Sequence, residues 1–180
     1  MDSYVDLHMQ PEQDQNTSNL LSSVFGQLHI VLVDRDKGDV GISFPKAHAI
    51  GLGDILRLHS QMSVLEEVLS VQRMLRLKDY YRTSAISSIP HEHHWRVVKR
   101  QQPKMTASKV RRLLARGSIT IQEAEARCST QTKLQLPFLQ LSSSSTGQPF
   151  KLFIEQVESD APSEVAQFNT YGFGGHIPWF

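Results

Sequence analysis

Between Arg96 and Arg116 stand eight of the chain's nineteen Lys and Arg residues, with no carboxylate among them, and the acid-free window runs from His93 to Gln122. Elsewhere eleven basic residues face eighteen acidic ones, so a chain of formal net charge +1 carries one strongly cationic segment. The chemistry this suits is the binding of a polyanion. In the first part of the segment, Gln101 and Gln102 stand between Arg100 and Lys104. Phosphates need only charge, whereas base edges are read by guanidinium forks and by amides that both donate and accept. The second part, Ser108 to Arg116, has helical spacing: Val110, Leu113 and Leu114 fall on one face, Lys109, Arg112 and Arg116 on another, and Gly117 supplies a stop. A solvated helix face is the plainer reading of a charge run. Solvated helices, however, interleave acids for i, i+4 pairing, and this one has none.

Other clusters carry less chemistry. His91-Glu92-His93-His94 lacks the spacing that puts two histidines on one helix face, and reads as a polar linker between two halves. Gly172-x-Gly174-Gly175 has no helix after it to complete a phosphate loop. Cys128 is alone, which excludes an intrachain disulfide and a cysteine metal knuckle. No metal and no organic cofactor is expected. With 39% hydrophobic and 21% charged residues in 180, the composition is that of a globular chain with one large domain or two small ones. No apolar run approaches bilayer length and no secretory pattern opens the chain, so it reads as cytoplasmic, with no membrane partner.

The elements that must position these residues follow from periodicity. Val5, Leu7 and Met9 alternate with polar residues from Tyr4 to Gln10, as in a half-buried strand. Asn16, Thr17 or Ser18 caps a helix whose stripe is Leu20, Leu21, Val24, Phe25, Leu28, Val31 and Leu32, with His29 at its edge beside Phe25. A turn from Asp34 to Asp39 leads to strands at Val40–Phe44 and Ile55–His59. Ser63 and Glu66 have capping-box spacing before a second helix, a short helical segment covers Arg73 to Asp79, and one strand lies within Tyr80 to Ile89. This order is that of a split βαβ, ferredoxin-like (RRM-like) domain. After the basic segment, Thr120–Arg127 is a short helix, and Leu136–Leu141 with Phe150–Val157 forms a hairpin around Ser142 to Gln148. Gln167–Tyr171 is a last strand, and Trp179 and Phe180 are expected to dock. The fold class is α+β, with a ferredoxin-like domain over 1–94 and a smaller, less regular one over 95–180 carrying the basic helix and the hairpin.

Several short stretches occur in a telling order: Met1-Asp2-x-Tyr4, Leu21-x-x-Val-Phe-Gly-x-Leu-His29, Gly41-Ile-Ser-Phe-Pro45, Leu136-Pro-Phe138, Ser145-Thr-Gly-Gln148, Phe150-Lys-Leu-Phe-Ile154, Tyr171-Gly172 and Pro178-Trp-Phe180. Together they resemble the CRISPR-associated endoribonucleases of type I-F systems, the Csy-type enzymes that cut the repeat hairpins of precursor guide RNA. The resemblance spans essentially the whole chain. It implies a ferredoxin-like N-terminal domain and an arginine-rich helix that grips an RNA stem. It further implies a repeat hairpin as substrate and the other subunits of a type I-F surveillance complex as partners.

By that resemblance His29 is the catalytic histidine, Ser143 the serine that orients the ribose 2′-hydroxyl, and Tyr171 a tyrosine that positions the histidine. The stem-reading arginine and glutamine fall on Arg100 and Gln102, the stacking phenylalanine on Phe150, and phosphate contacts on Lys109, Arg111, Arg112 and Arg116, with Lys104 as a further RNA-binding residue. Ser142 to Ser145 offer four hydroxyls, and Phe150, in phase with Leu152 and Ile154, reads by itself as core. Where relatives carry a denser arginine cluster, this chain has Leu113, Gly117 and Ser118. RNA brings its own nucleophile, so a protein need only align the 2′-oxygen and manage protons, which a histidine of ordinary pKa about 6.5 does near neutrality. Two other readings fit the residues: an RNA hairpin-binding module without chemistry, and a ligand-sensing ferredoxin-like regulator.

Overall fold

A computed structural model describes residues 1–102, 107–123, 134–143, 146–162 and 167–180 of the chain. Tertiary contacts divide it into two units, 1–100 with 136–180, and 101–135.

In the first unit β1 (Ser3–Met9) buries Val5, Leu7 and Met9 as its alternation requires. Asp6 is buried as well, because its carboxylate accepts from Nε and Nη2 of Arg57 on β3 (Ile55–Ser60) at 2.6 and 2.9 Å. α1 (Thr17–Arg35) starts at Asn16, whose side-chain oxygen accepts from the Ser18 amide at 2.8 Å. It ends at Asp36, held in the left-handed region at φ 48°. All seven residues of its apolar stripe are buried. After β2 (Gly41–Ser43) and β3 come α2 (Met62–Ser70), α3 (Gln72–Leu75), β4 (Tyr81–Thr83) and β5 (Ser87–Ser88). The strands form an antiparallel sheet in the order β2-β3-β1-β4, with β5 also pairing with β1.

Three local expectations fail here. Ser63 does not cap α2: the helix starts one residue earlier, after an extended Gln61 whose carbonyl accepts from Val64 and Leu65, so the serine lies inside the first turn. The helical segment expected over Arg73 to Asp79 is the single turn of α3, and the chain continues in turns to Asp79. The strand expected within Tyr80 to Ile89 is two short ones, because Ser84 captures both backbone groups of Asp6, its hydroxyl accepting the amide and its amide donating to the carbonyl.

A second sheet has the order β7-β8-β6-β9, from β6 (His94–Gln101), β7 (Phe138–Ser142), β8 (Pro149–Ser159) and β9 (His176–Trp179). β7 and β8 are the expected hairpin, with Phe138 opposite Phe153 and Ser142 opposite Pro149. β6 was legible only as charge, and it pairs antiparallel with β9. The strand expected at Gln167–Tyr171 is absent. The side chain of Asn169 accepts from the amides of Tyr171 and Phe173, and Gly172 and Gly174 sit at φ 73° and 98°, which folds the stretch into turns. Phe180 packs edge-on to Tyr4, with the Arg57 guanidinium 4.3 Å from its ring, and Arg96 lies 4.1 Å over Trp179. Docking of both aromatics is thereby met.

One core joins both sheets through α1, uniting Val5, Leu7, Phe25 and Leu28 with Val98, Leu139, Leu152 and Ile177. His59 is wholly buried in it and shares a 2.8 Å hydrogen bond with the hydroxyl of Ser43. Burial, with the Arg57 guanidinium nearby, pushes its pKa down to about 3.

In the second unit α4 (Ala107–Ala115) packs Val110 and Leu113 against Ile119. Leu114, expected on the same face, is 38% exposed. Gly117 ends the helix at φ 68°, and the next amide, from Ser118, bonds back to the Leu113 carbonyl. Thr120 and Glu123 exchange capping bonds, the Thr120 amide to the carboxylate at 2.8 Å and the Glu123 amide to the hydroxyl at 3.2 Å. The remainder of the helix expected to Arg127, and Cys128, lie outside the described residues.

Candidate active site

His29 sits on the solvent side of α1, one turn beyond Gly26, and two attachments fix its ring. Nδ1 lies 2.8 Å from the backbone carbonyl of Thr170. A carbonyl only accepts, so Nδ1 carries the hydrogen and Nε2 of the neutral ring holds the lone pair. The Tyr171 ring lies flat on the imidazole, with centroids 4.1 Å apart and planes within 5°. Tyr171 is itself backed by Phe25 and Phe173, at 6.4 and 6.1 Å. Both attachments come from the turn that Asn169 organises, so one side chain sets the carbonyl and the ring together.

The other side of the site comes from the second sheet. The hydroxyl of Ser22 on α1 accepts the amide of Gln140 at 3.0 Å and donates to the Ser18 carbonyl, pinning the edge of β7 against the helix. That places the mouth of the hairpin, closed by the Ser143 amide on the Gln148 carbonyl at 2.9 Å, beside His29. The Arg100 guanidinium, near the end of β6, stands 5.6 Å from the Tyr171 ring and 5.9 Å from the Phe150 ring. The result is an open cleft of ≈ 660 Å³ whose lining includes His29, Arg100, Ser142, Ser143, Phe150 and Tyr171.

Five of the residues singled out in the sequence therefore meet in one cleft: His29, Ser143, Tyr171, Arg100 and Phe150. Phe150 packs against the core, as its phase with the fully buried Leu152 and Ile154 implies, but is itself only half-buried in the cleft wall. Of the serine run, Ser142 and Ser143 both line the cleft, while Ser144 and Ser145 lie outside the described residues. Gln102 is exposed just past β6. Arg111, Arg112 and Arg116 are exposed in the second unit, of Lys109 only the helical backbone is described, and Lys104 lies outside the described residues. Reading the sequence missed Thr170, which acts through a carbonyl that every residue has, and Asn169, whose Asn-x-Tyr-Gly context was a turn signal. It also missed the α1 part of the lining, Gly26, Ile30 and Val33. Among the described residues no group of three or more His, Cys, Asp and Glu is placed to hold a metal ion.

A histidine with one fixed tautomer, an adjacent hydroxyl, and an arginine flanked by aromatic faces form a site for proton transfer on a substrate that is both anionic and aromatic. Residues 4–180 match the family described as CRISPR-associated protein (Cas_Csy4). Two relatives, each named CRISPR-associated endonuclease Cas6/Csy4, come from Escherichia coli (strain UTI89 / UPEC) and Pseudomonas aeruginosa (strain UCBPP-PA14). Each is 34% identical to this chain, over 185 and 187 residues respectively, and each alignment covers 100% of both proteins. The chain belongs to the Csy4 family of CRISPR-associated proteins.

Proposed function

We propose that this protein is a metal-independent endoribonuclease that binds the repeat hairpin of precursor CRISPR RNA, cuts it once to release guide RNA, and keeps hold of the product. The observation that carries the reading is the His29 arrangement: Nδ1 tied to the Thr170 carbonyl, the ring clamped on Tyr171, and Ser143 on the same cleft. In the proposed reaction Nε2 of His29 takes the proton of a ribose 2′-hydroxyl that Ser143 orients. The 2′-oxygen then forms a bond to the adjacent phosphorus. The bond from phosphorus to the 5′-oxygen breaks, and that oxygen leaves with the electron pair and takes a proton from water, while the His29 imidazolium gives its proton back to solvent. The products are a 2′,3′-cyclic phosphate and a 5′-hydroxyl, with no net change in protons. Because RNA supplies the nucleophile, alignment and proton transfer suffice, and no Lewis acid is needed to make one.

Binding divides between two devices in this reading. Arg100, supported on aromatic faces, addresses a guanine edge near the end of the stem, Gln102 reads beside it, and Phe150 caps the terminal pair. Lys104, Lys109, Arg111, Arg112 and Arg116 contact stem phosphates. The 1–94 part is ferredoxin-like, supported by the strand order β2-β3-β1-β4 with its helices between, and 95–180 contributes the RNA grip. The endonuclease names of the two relatives and the family's CRISPR association support the substrate class, and the other subunits of a type I-F complex are the proposed recipients of the product.

The test is a labelled repeat hairpin incubated with protein in excess chelator, for the wild type and for His29→Ala. Cleavage by the wild type and none by the variant, with hairpin affinity kept within a few-fold, is the expected result, since the imidazole is needed only while bonds change. RNA that is shifted but uncut by the wild type would make the protein a binding module.

A further inference from the structure

Gly26, His29, Ile30 and Val33 stand at i, i+3, i+4 and i+7 on α1, so they share one helix face, and all four line the cleft. The apolar members are anomalous there. Val33 is 44% exposed although its neighbours Val31 and Leu32 are buried. Gly26 lies mid-helix, where glycine destabilises relative to alanine, yet a Cβ built on it would meet only Cδ2 of Leu141, at an ordinary 3.7 Å. Packing therefore does not demand glycine at this position. A bare patch of helix backbone beside the proposed base, followed by two apolar side chains, leaves room for a sugar–phosphate backbone and offers a dry surface next to it.

The reaction needs such a surface. In a stacked A-form strand the 2′-oxygen, the phosphorus and the 5′-oxygen are not collinear, so in-line attack requires one of the two nucleotides flanking the phosphate to turn out of the stack. Where the last pair of the stem is held, that is the one on the leaving side. An unstacked base is stabilised by an apolar face. The Phe150 and Arg100 part of the lining is already assigned to the last pair of the stem. We infer that the Gly26–Ile30–Val33 face of α1 is a shelf for the nucleotide on the leaving side of the scissile phosphate, with Gly26 admitting the backbone and Ile30 and Val33 receiving the splayed base. This rests on the endoribonuclease reading and adds a subsite to it.

The test compares full-length wild type with the variant Ile30→Ser/Val33→Ser in single-turnover cleavage. The substrates are a repeat hairpin with a natural leaving nucleotide and one in which that nucleotide is abasic. Loss of an apolar contact to one base is expected to slow cleavage about tenfold. The variant and the abasic substrate should each show that loss, and together no more than either alone, because both delete the same contact. Affinity for the cleaved product hairpin, which lacks the leaving nucleotide, should stay within twofold. Gly26→Ala should melt at a higher temperature than the wild type and still cut more slowly. Losses that multiply, a variant that cuts at the wild-type rate, or an equal loss of product affinity would each overturn the shelf while leaving the endoribonuclease reading intact. A wild type that cuts neither substrate would overturn both.

Discussion

Replacing Tyr171 by Phe and by Leu separates what its ring does from what its hydroxyl does. The ring is clamped between His29, 4.1 Å away and nearly parallel, and the Phe25 and Phe173 rings behind it, with Arg100 at 5.6 Å. Tyr171→Phe keeps all of these faces, so its cleavage rate should stay within about twofold of the wild type. Tyr171→Leu keeps an apolar side chain, though a smaller one, and loses the flat π surface. An aromatic pair contributes about 0.5–1.5 kcal/mol beyond its buried area, which at an RT of about 0.59 kcal/mol corresponds to roughly 2- to 13-fold. If the stack holds His29 in its productive orientation, that factor should appear in the single-turnover rate at saturating protein. Product-hairpin affinity would change only as far as Arg100 loses one of its two aromatic faces. The assay is a rate and a binding isotherm on the same labelled hairpin for all three proteins. If Phe is as slow as Leu, the hydroxyl acts and the stacking argument fails. If Leu keeps the wild-type rate, the Thr170 carbonyl alone orients the imidazole.

Three other predictions follow from particular contacts. Ser143→Ala should slow cleavage more than Ser142→Ala although both line the cleft, and equal effects would reduce the run to a turn, as read from rates of the two variants. Replacing Arg112 and Arg116, both exposed on the second unit, by Ala should make the log-log salt dependence of hairpin binding shallower by roughly 1.4 to 1.8, whereas Arg100→Ala should narrow discrimination between cognate and altered stems with little change in slope. A double variant with the wild-type slope would place the RNA elsewhere. Stability should fall in acid through His59, whose folded pKa of about 3 lies below the unfolded value near 6.5. Above pH 6.5 both states are neutral. Below it the unfolded chain binds the proton that the folded one refuses, costing about 1.4 kcal/mol per pH unit, or about 2 kcal/mol by pH 5. Denaturant melts at pH 7 and pH 5 should show this loss in the wild type and not in His59→Leu; equal pH dependence in the two would exclude His59 as its source.

Much of the fold was legible because its patterns are local. Seven apolar residues at helical spacing made α1, the alternation of Val5, Leu7 and Met9 made β1, and a serine-rich stretch between two apolar runs made the β7–β8 hairpin. Amphipathic periodicity survives in the sequence whatever the partner of the apolar face turns out to be. The motifs likewise named most of the cleft, since His29, Ser143, Tyr171, Arg100 and Phe150 each stand in a recognisable short context. What failed depended on partners distant in sequence. β6 reads as charge, and its strand character comes from lying between β8 and β9, both more than forty residues later. Ser84 breaks a strand by bonding to Asp6, and Asn169 turns another into a loop by capturing two amides that a strand would have given to a neighbour. The decisive contact of the site, the Thr170 carbonyl on Nδ1 of His29, spans 141 residues and uses a group that all residues share. The sequence could supply an imidazole at that position. Only the closure of two sheets around α1 selects its tautomer, and with it the nitrogen that is free to take a proton.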